Sequence, residues 1–113
     1  MARKVLVIED EPEMLELVKY TLEQGGFEVH TCDNGYRAWE TIVKVKPDVL
    51  VLDVMLPGVD GYSMQIKIAE EPATKDLPVV IVTAVEPTKN LFLKFPQVRG
   101  FLTNPLGGST GGQ

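Results

Sequence analysis

Three acids stand in succession at Glu9-Asp10-Glu11, directly after the apolar run Val5-Leu6-Val7-Ile8, and a fourth, Asp53, directly follows the apolar run Val49 to Leu52. A hydroxyl, Thr83, stands in the same relation to a third such run, Val79 to Val82. Crowded carboxylates repel one another and persist where a cation compensates, and an all-oxygen ligand set favours a hard ion such as Mg²⁺. A carboxylate beside such an ion has its charge offset. An incoming phosphoryl group can then approach it, and it can act as a nucleophile to give an aspartyl phosphate. The spacing alone leaves a plainer reading open, in which Glu9, Asp10 and Glu11 cap and solvate the next helix at its positive dipole end.

The residues must be brought together by the elements around them. The three apolar runs are almost wholly Val, Ile and Leu, the pattern of strands buried on both faces of a parallel sheet. Between the first two, Met14, Leu15, Leu17, Val18 and Leu22 form an apolar stripe at helical spacing, with Pro12 in the first turn and Gly25-Gly26 at the end. Phe27 to Cys32 alternates as a strand does. Asp33 or Asn34 offers a capping oxygen for a second helix through Ala38, Trp39, Ile42, Val43 and Val45, closed by Pro47. After a turn at Pro57-Gly58 and Asp60-Gly61, Tyr62 to Glu70 reads as a third helix and Pro72 to Pro78 as a loop. Strands joined by helical crossovers of this length make a doubly wound α/β domain, and its chemistry belongs at the carboxyl ends of the strands. Glu9, Asp10, Glu11, Asp53 and Thr83 are all expected there.

Composition sets limits on the rest. The 113 residues, 44% of them hydrophobic, suffice for one core and not two. Residues 1–106 are expected to form the domain, and 107–113 a flexible Gly-rich tail or an appended artificial linker. A net charge of -5 opposes a sequence-independent grip on nucleic acid. The single cysteine, Cys32, excludes an internal disulfide and suits a reducing cytoplasm. No apolar run serves as a signal peptide or approaches the roughly 20 residues that cross a bilayer. His30, with no second histidine, is expected to be a strand side chain, and Tyr20, Tyr36 and Trp39 core or boundary packing. Lys44, Lys46, Lys67 and Lys75 are scattered as on a solvated surface.

The segment Leu50-Val51-Leu52-Asp53-Val54-Met55-Leu56-Pro57-Gly58-Val59-Asp60-Gly61 resembles the phosphorylation loop of bacterial response-regulator receiver domains. The resemblance extends to Val7-Ile8-Glu9-Asp10-Glu11-Pro12, Asp33-Asn34-Gly35, Pro47-Asp48 and Pro78 to Ala84, close over residues 3–84 and looser over 85–105. It implies a flavodoxin-like five-stranded sheet of order 2-1-3-4-5. By the same resemblance, Asp53 accepts a phosphoryl group from a sensor histidine kinase or a phosphotransfer protein, and Asp10 and Asp53 bind Mg²⁺ with the backbone carbonyl of Met55. Glu9 stands where the family usually has aspartate, the same charge on a longer stem, and is expected to act through water. Thr83 is implied to hydrogen-bond a phosphoryl oxygen, and Phe101 to repack with it. Both residues have a plainer alternative, a strand-end hydroxyl bonding locally and a core aromatic.

The pattern breaks in three places. Receivers usually carry a lysine before a proline after the fifth strand, whereas Phe101-Leu102-Thr103-Asn104-Pro105 puts Asn104 there, an amide without positive charge. Pro96 and the crowded Leu91, Phe92, Leu93 and Phe95 argue for a short or irregular fourth helix. No fifth helix is expected after Pro105, which leaves a sheet face that another chain, such as a second copy, could cover, unless the sequence is a piece of a longer protein. These breaks keep an alternative open: a degenerate receiver acting as a phosphorylation-independent interaction or dimerisation module. An aspartate-nucleophile phosphohydrolase is disfavoured because Met55 stands where its second acid is needed. A dinucleotide-binding domain is disfavoured because no Gly-x-Gly-x-x-Gly follows the first strand.

Overall fold

The computed structural model describes residues 2–53, 61–83 and 92–103, the side chains of Thr83 and Thr103 excepted. Five strands, β1 (Lys4–Ile8), β2 (Glu28–Cys32), β3 (Val49–Asp53), β4 (Val79–Thr83) and β5 (Val98–Thr103), alternate with α1 (Pro12–Gln24), α2 (Ala38–Val45) and α3 (Gly61–Glu70). All neighbouring strands run parallel, in the order β2-β1-β3-β4-β5. The flavodoxin-like order implied by the sequence is therefore the order found.

The apolar strands have two buried faces because helices cover both. Leu6 and Ile8 of β1, Leu50 and Leu52 of β3 and Val79 and Ile81 of β4 pack with Ala38 and Ile42 of α2 and with Met64 and Ile68 of α3. The alternate residues Val5, Val7, Val51 and Val82 pack on the other face with Met14 and Val18 of α1. On α1 the inward residues are Met14, Leu15, Val18 and Leu22, whereas Leu17, expected in the stripe, is 44% exposed. At about 3.6 residues per turn the first set falls within one arc of the helix, and position 17 lies outside that arc. Pro12 occupies the start of α1, where no intrahelical N–H bond is lost.

Two other expectations need correcting. Tyr20 and Tyr36 are 63% and 78% exposed, so neither is core or boundary packing. Of the three aromatics only Trp39 rests against the core, with the Lys67 ammonium 4.6 Å from its ring centre. Neither Asp33 nor Asn34 caps α2, whose N-cap position is Arg37 with no side-chain cap bond; the Asn34 Oδ1 instead accepts from the Arg37 N–H at 3.0 Å, in the turn before the helix. That helix ends in Lys46, a left-handed residue with φ of 54° whose N–H reaches the Ile42 carbonyl at 2.9 Å.

Beyond β4, Phe92 is buried and meets the Tyr62 ring edge-on at 5.5 Å, while Leu93 lies exposed. The expected irregular fourth helix falls largely, and the expectations of no fifth helix and of a Gly-rich tail fall wholly, outside the described residues. No described helix is long and apolar enough to cross a membrane.

Candidate functional site

The parallel ladder brings the acids together by register. Ile8 pairs with Leu52, so the next residues along, Glu9 and Asp53, lie side by side at the carboxyl ends of β1 and β3. The Glu9 N–H donates to the Cys32 carbonyl at 3.0 Å, which extends the β1–β2 ladder one residue and seats Glu9 at the sheet edge. Asp53 pairs with Val82, one residue before Thr83. Carboxylate oxygens of Glu9, Asp10 and Asp53 all lie within 4.8 Å of one another. Glu11 does not join them. Instead its backbone N–H donates to Glu9 Oε2 at 3.0 Å, folding the longer side chain back into the cluster.

Burial differs within the cluster. Asp10 is exposed, Asp53 is 6% exposed and Glu9 only 1%. Burial is the main cause that raises the Glu9 carboxyl from 4.5 to about 8. Hydrogen bonding to Asp53 and repulsion from Asp53 and Asp10 push the same way, against the Glu11 N–H. Two carboxylates share a hydrogen bond only when one holds a proton, so with both charged Glu9 Oε1 is buried without a partner. An orphaned buried oxygen beside two further carboxylates suits a hard divalent cation, and among the described residues Glu9, Asp10 and Asp53 are the group able to hold one.

A stability profile follows from the raised Glu9 carboxyl. Below pH 4.5 the group is protonated in both the folded and the unfolded chain and adds no pH dependence. Between 4.5 and about 8 the folded chain keeps a proton that the unfolded chain has released, so stability falls as pH rises. The expected slope is up to about 1.4 kcal/mol per pH unit, and it levels off once both states are ionised. Urea unfolding in a chelator from pH 5 to 9 measures it. A flat profile, or one shared by Glu9→Gln, contradicts this account.

Of the other predicted residues, Phe101 packs against the α2/α3 side of the core. Thr83 ends β4 opposite Thr103, with its side chain outside the described residues. Met55 and Asn104 also lie outside them. His30 sits in β2, its ring nitrogen 2.6 Å from Glu28 Oε2 on the same strand face. The reading of the sequence passed over Glu11 as a backbone donor and over two buried glutamines, Gln65 and Gln97. Gln65 shares the helical face of Gly61, Met64 and Ile68, a spacing that marks it as inward.

Comparison with known proteins agrees with the fold. The sequence profile of the response regulator receiver domain matches residues 5–105. The phosphate regulon transcriptional regulatory protein PhoB of Rhizobium meliloti (strain 1021) is 40% identical over 84 residues, covering 74% of this chain and 37% of PhoB. A putative response regulator from Chloroflexus aurantiacus J-10-fl superposes with a TM-score of 0.86 at 29% identity, over 93% of this chain and 87% of that one. The BeF3-activated N-terminal receiver domain of Klebsiella pneumoniae RstA gives 0.77 at 28%, over 90% and 86%. The chain spans less than half the length of the curated relatives it matches first. With the parallel sheet in this order and acids gathered at its carboxyl edge, the chain belongs to the response regulator receiver domain family of two-component systems.

Proposed function

We propose that the chain is a phosphorelay receiver that accepts a phosphoryl group from a sensor histidine kinase or a phosphotransfer protein on Asp53, in a Mg²⁺-dependent reaction. The observation that carries this reading is the position of the Asp53 carboxylate, 6% exposed and within 4.8 Å of the oxygens of two further acids. A buried carboxylate so surrounded serves no packing purpose, whereas it is what a charge-compensated nucleophile requires. The likeness to a receiver solved in a BeF3-activated form supports the same reading.

In the transfer an Asp53 oxygen forms a new bond to phosphorus as the phosphorus–nitrogen bond of the donor phosphohistidine breaks. The bonding pair leaves on the imidazole, which takes a proton. Glu9 and Asp10 orient the site and, with Asp53 and the Met55 carbonyl, would hold the ion. When bound, Mg²⁺ offsets the charge of the acceptor and of the incoming phosphoryl oxygens. Thr83 would donate to a phosphoryl oxygen after transfer, and Asn104 would stand in the lysine's place with hydrogen bonds alone. No substrate is turned over, so the protein is a signalling module of the cytoplasm and not an enzyme. Its working unit is residues 1–106, with no direct contact to nucleic acid.

Incubation with Mg²⁺ and acetyl phosphate is expected to add one phosphoryl mass to the intact protein, and a chelator to prevent it. No adduct under sustained donor excess sinks the proposal. It would leave the degenerate receiver, a phosphorylation-independent interaction module, as the reading that Asn104 favours.

A further inference from the structure

Strand β5 carries an extra residue, and that residue is a cation. Val79 of β4 lies opposite Val98 and Val80 opposite Gly100, so Arg99 has no partner of its own in the ladder. Val98 packs on the α2/α3 cluster, and in a regular strand its neighbour would point to the other, α1 side. The bulge re-aims it: Arg99 lines a cavity on the α3 side together with Ala69 of that helix.

The cavity, of about 280 Å³, lies at the amino ends of β4 and β5, away from the carboxyl edge that carries Asp53. Lys75 and Asp76 enter it from the turn before β4, and Phe95 and Pro96 from the turn before β5. Gln97 is its buried wall and ties the two turns together. The Gln97 Nε2 donates to the carbonyls of Thr74 at 3.0 Å and Leu77 at 2.7 Å, one residue to either side of the Lys75-Asp76 pair. Gln65 Nε2 holds the Gln97 Oε1 at 3.0 Å, and the Val98 N–H closes the other turn on the Phe95 carbonyl at 3.0 Å. Walls fixed in this way cost a ligand little ordering.

The charge of the cavity runs against that of the chain. Lys75 and Arg99 are exposed, and among the described residues neither has an ion-pair partner. With Asp76 they leave one positive charge in the cavity, on a chain of net -5. The Lys94 ammonium, 5.6 Å from the Phe95 ring centre, adds to the positive field at that rim. One uncompensated charge suits a monoanion, and the guanidinium fork of an arginine matches a carboxylate. Phe95 and Pro96 supply the apolar surface against which a ring can lie. The volume falls just below the roughly 300–1,000 Å³ of pockets for drug-sized ligands, so the ligand is a small one.

We propose that this cavity binds a small aromatic carboxylate, its charge between Lys75 and Arg99 and its ring against Phe95 and Pro96. The site is separate from Asp53 and does not rest on the phosphorelay reading.

Amide chemical-shift titration of the whole chain at pH 7 and constant ionic strength tests it. Benzoate is the probe, benzyl alcohol supplies the ring without the charge, and inorganic phosphate supplies charge without the ring. Benzoate should shift the amides of Ala69, Lys75 and Arg99 saturably, with a Kd on the order of millimolar. Lys75→Gln and Arg99→Gln should each weaken it about fivefold or more, with unchanged β1 and β3 amides showing that the fold is kept. Asp76→Asn should tighten it about twofold to fivefold, because the acid that repels the anion is gone. Benzyl alcohol and phosphate should each bind at least about fivefold more weakly than benzoate. No saturable shift with benzoate, equal binding by either control, or unchanged affinity in either charge variant overturns the proposal. Failure of Asp76→Asn to tighten binding does the same. Phosphoryl loading of Asp53, present or absent, leaves the benzoate result standing.

Discussion

Asp53→Asn is expected to take up no phosphoryl mass from acetyl phosphate and, in a chelator at pH 8, to be more stable than the wild type. The first effect follows from the chemistry, since a neutral amide oxygen is a poor nucleophile and a weaker partner for a hard cation. The second follows from the electrostatics. Glu9 and Asp53 are both almost wholly buried, and Asp10 adds a third charge within 4.8 Å. Charges this close repel by a few kcal/mol at protein-like screening, and an exposed member such as Asp10 feels less of it. The isosteric amide removes one charge and gives Glu9 a hydrogen-bond donor, so a gain on the order of 1–3 kcal/mol is expected. It should shrink towards pH 5, where Glu9 is protonated in the folded chain, and when millimolar Mg²⁺ compensates the wild type. Intact mass and urea unfolding read the two effects separately. An adduct on Asp53→Asn moves the acceptor to another residue, and a destabilised variant removes the case for a strained acidic cluster.

The pairing of lost loading with gained stability explains which parts of the site the sequence announced. The apolar runs of β1, β3 and β4 are self-evident strands because both their faces are covered, and each is followed directly by its candidate residue. The order of the sheet came from resemblance, since periodicity does not say which strands are neighbours. The environment of Glu9 was not legible. Only the folded chain shows that the Glu11 N–H turns that side chain inward against Asp53 instead of outward to water. Tyr20 and Tyr36 misled because an aromatic is readily carried on an exposed helix face, as Tyr20 is, or on a surface turn, as Tyr36 is. Gln65 and Gln97 escaped for the opposite reason: a polar residue is buried only where partners wait, and theirs are up to 32 residues away in sequence.

Asn104→Lys is expected to accelerate loading from acetyl phosphate by about tenfold to a hundredfold, the scale on which a preorganised donor acts on developing charge. The case rests on register and on the resemblance. β5 ends at Thr103 opposite Thr83, and β4 runs beside Asp53 through the Asp53–Val82 pair; position 104, outside the described residues, is the one that receivers give to a lysine. An ammonium there would face three carboxylates and an incoming phosphoryl group with no net compensation from an amide, on a chain already carrying -5. The same charge should favour ionised Glu9, lowering its carboxyl from about 8 and flattening the fall in stability between pH 4.5 and 8. Rate and pH profile must therefore move together in one variant. Acceleration with an unchanged profile would mean that the ammonium acts on the donor outside the cluster. A flattened profile without acceleration would mean that charge at position 104 does not limit transfer. No change in either would show that a charge at position 104 does not act on Asp53, and would favour the degenerate module.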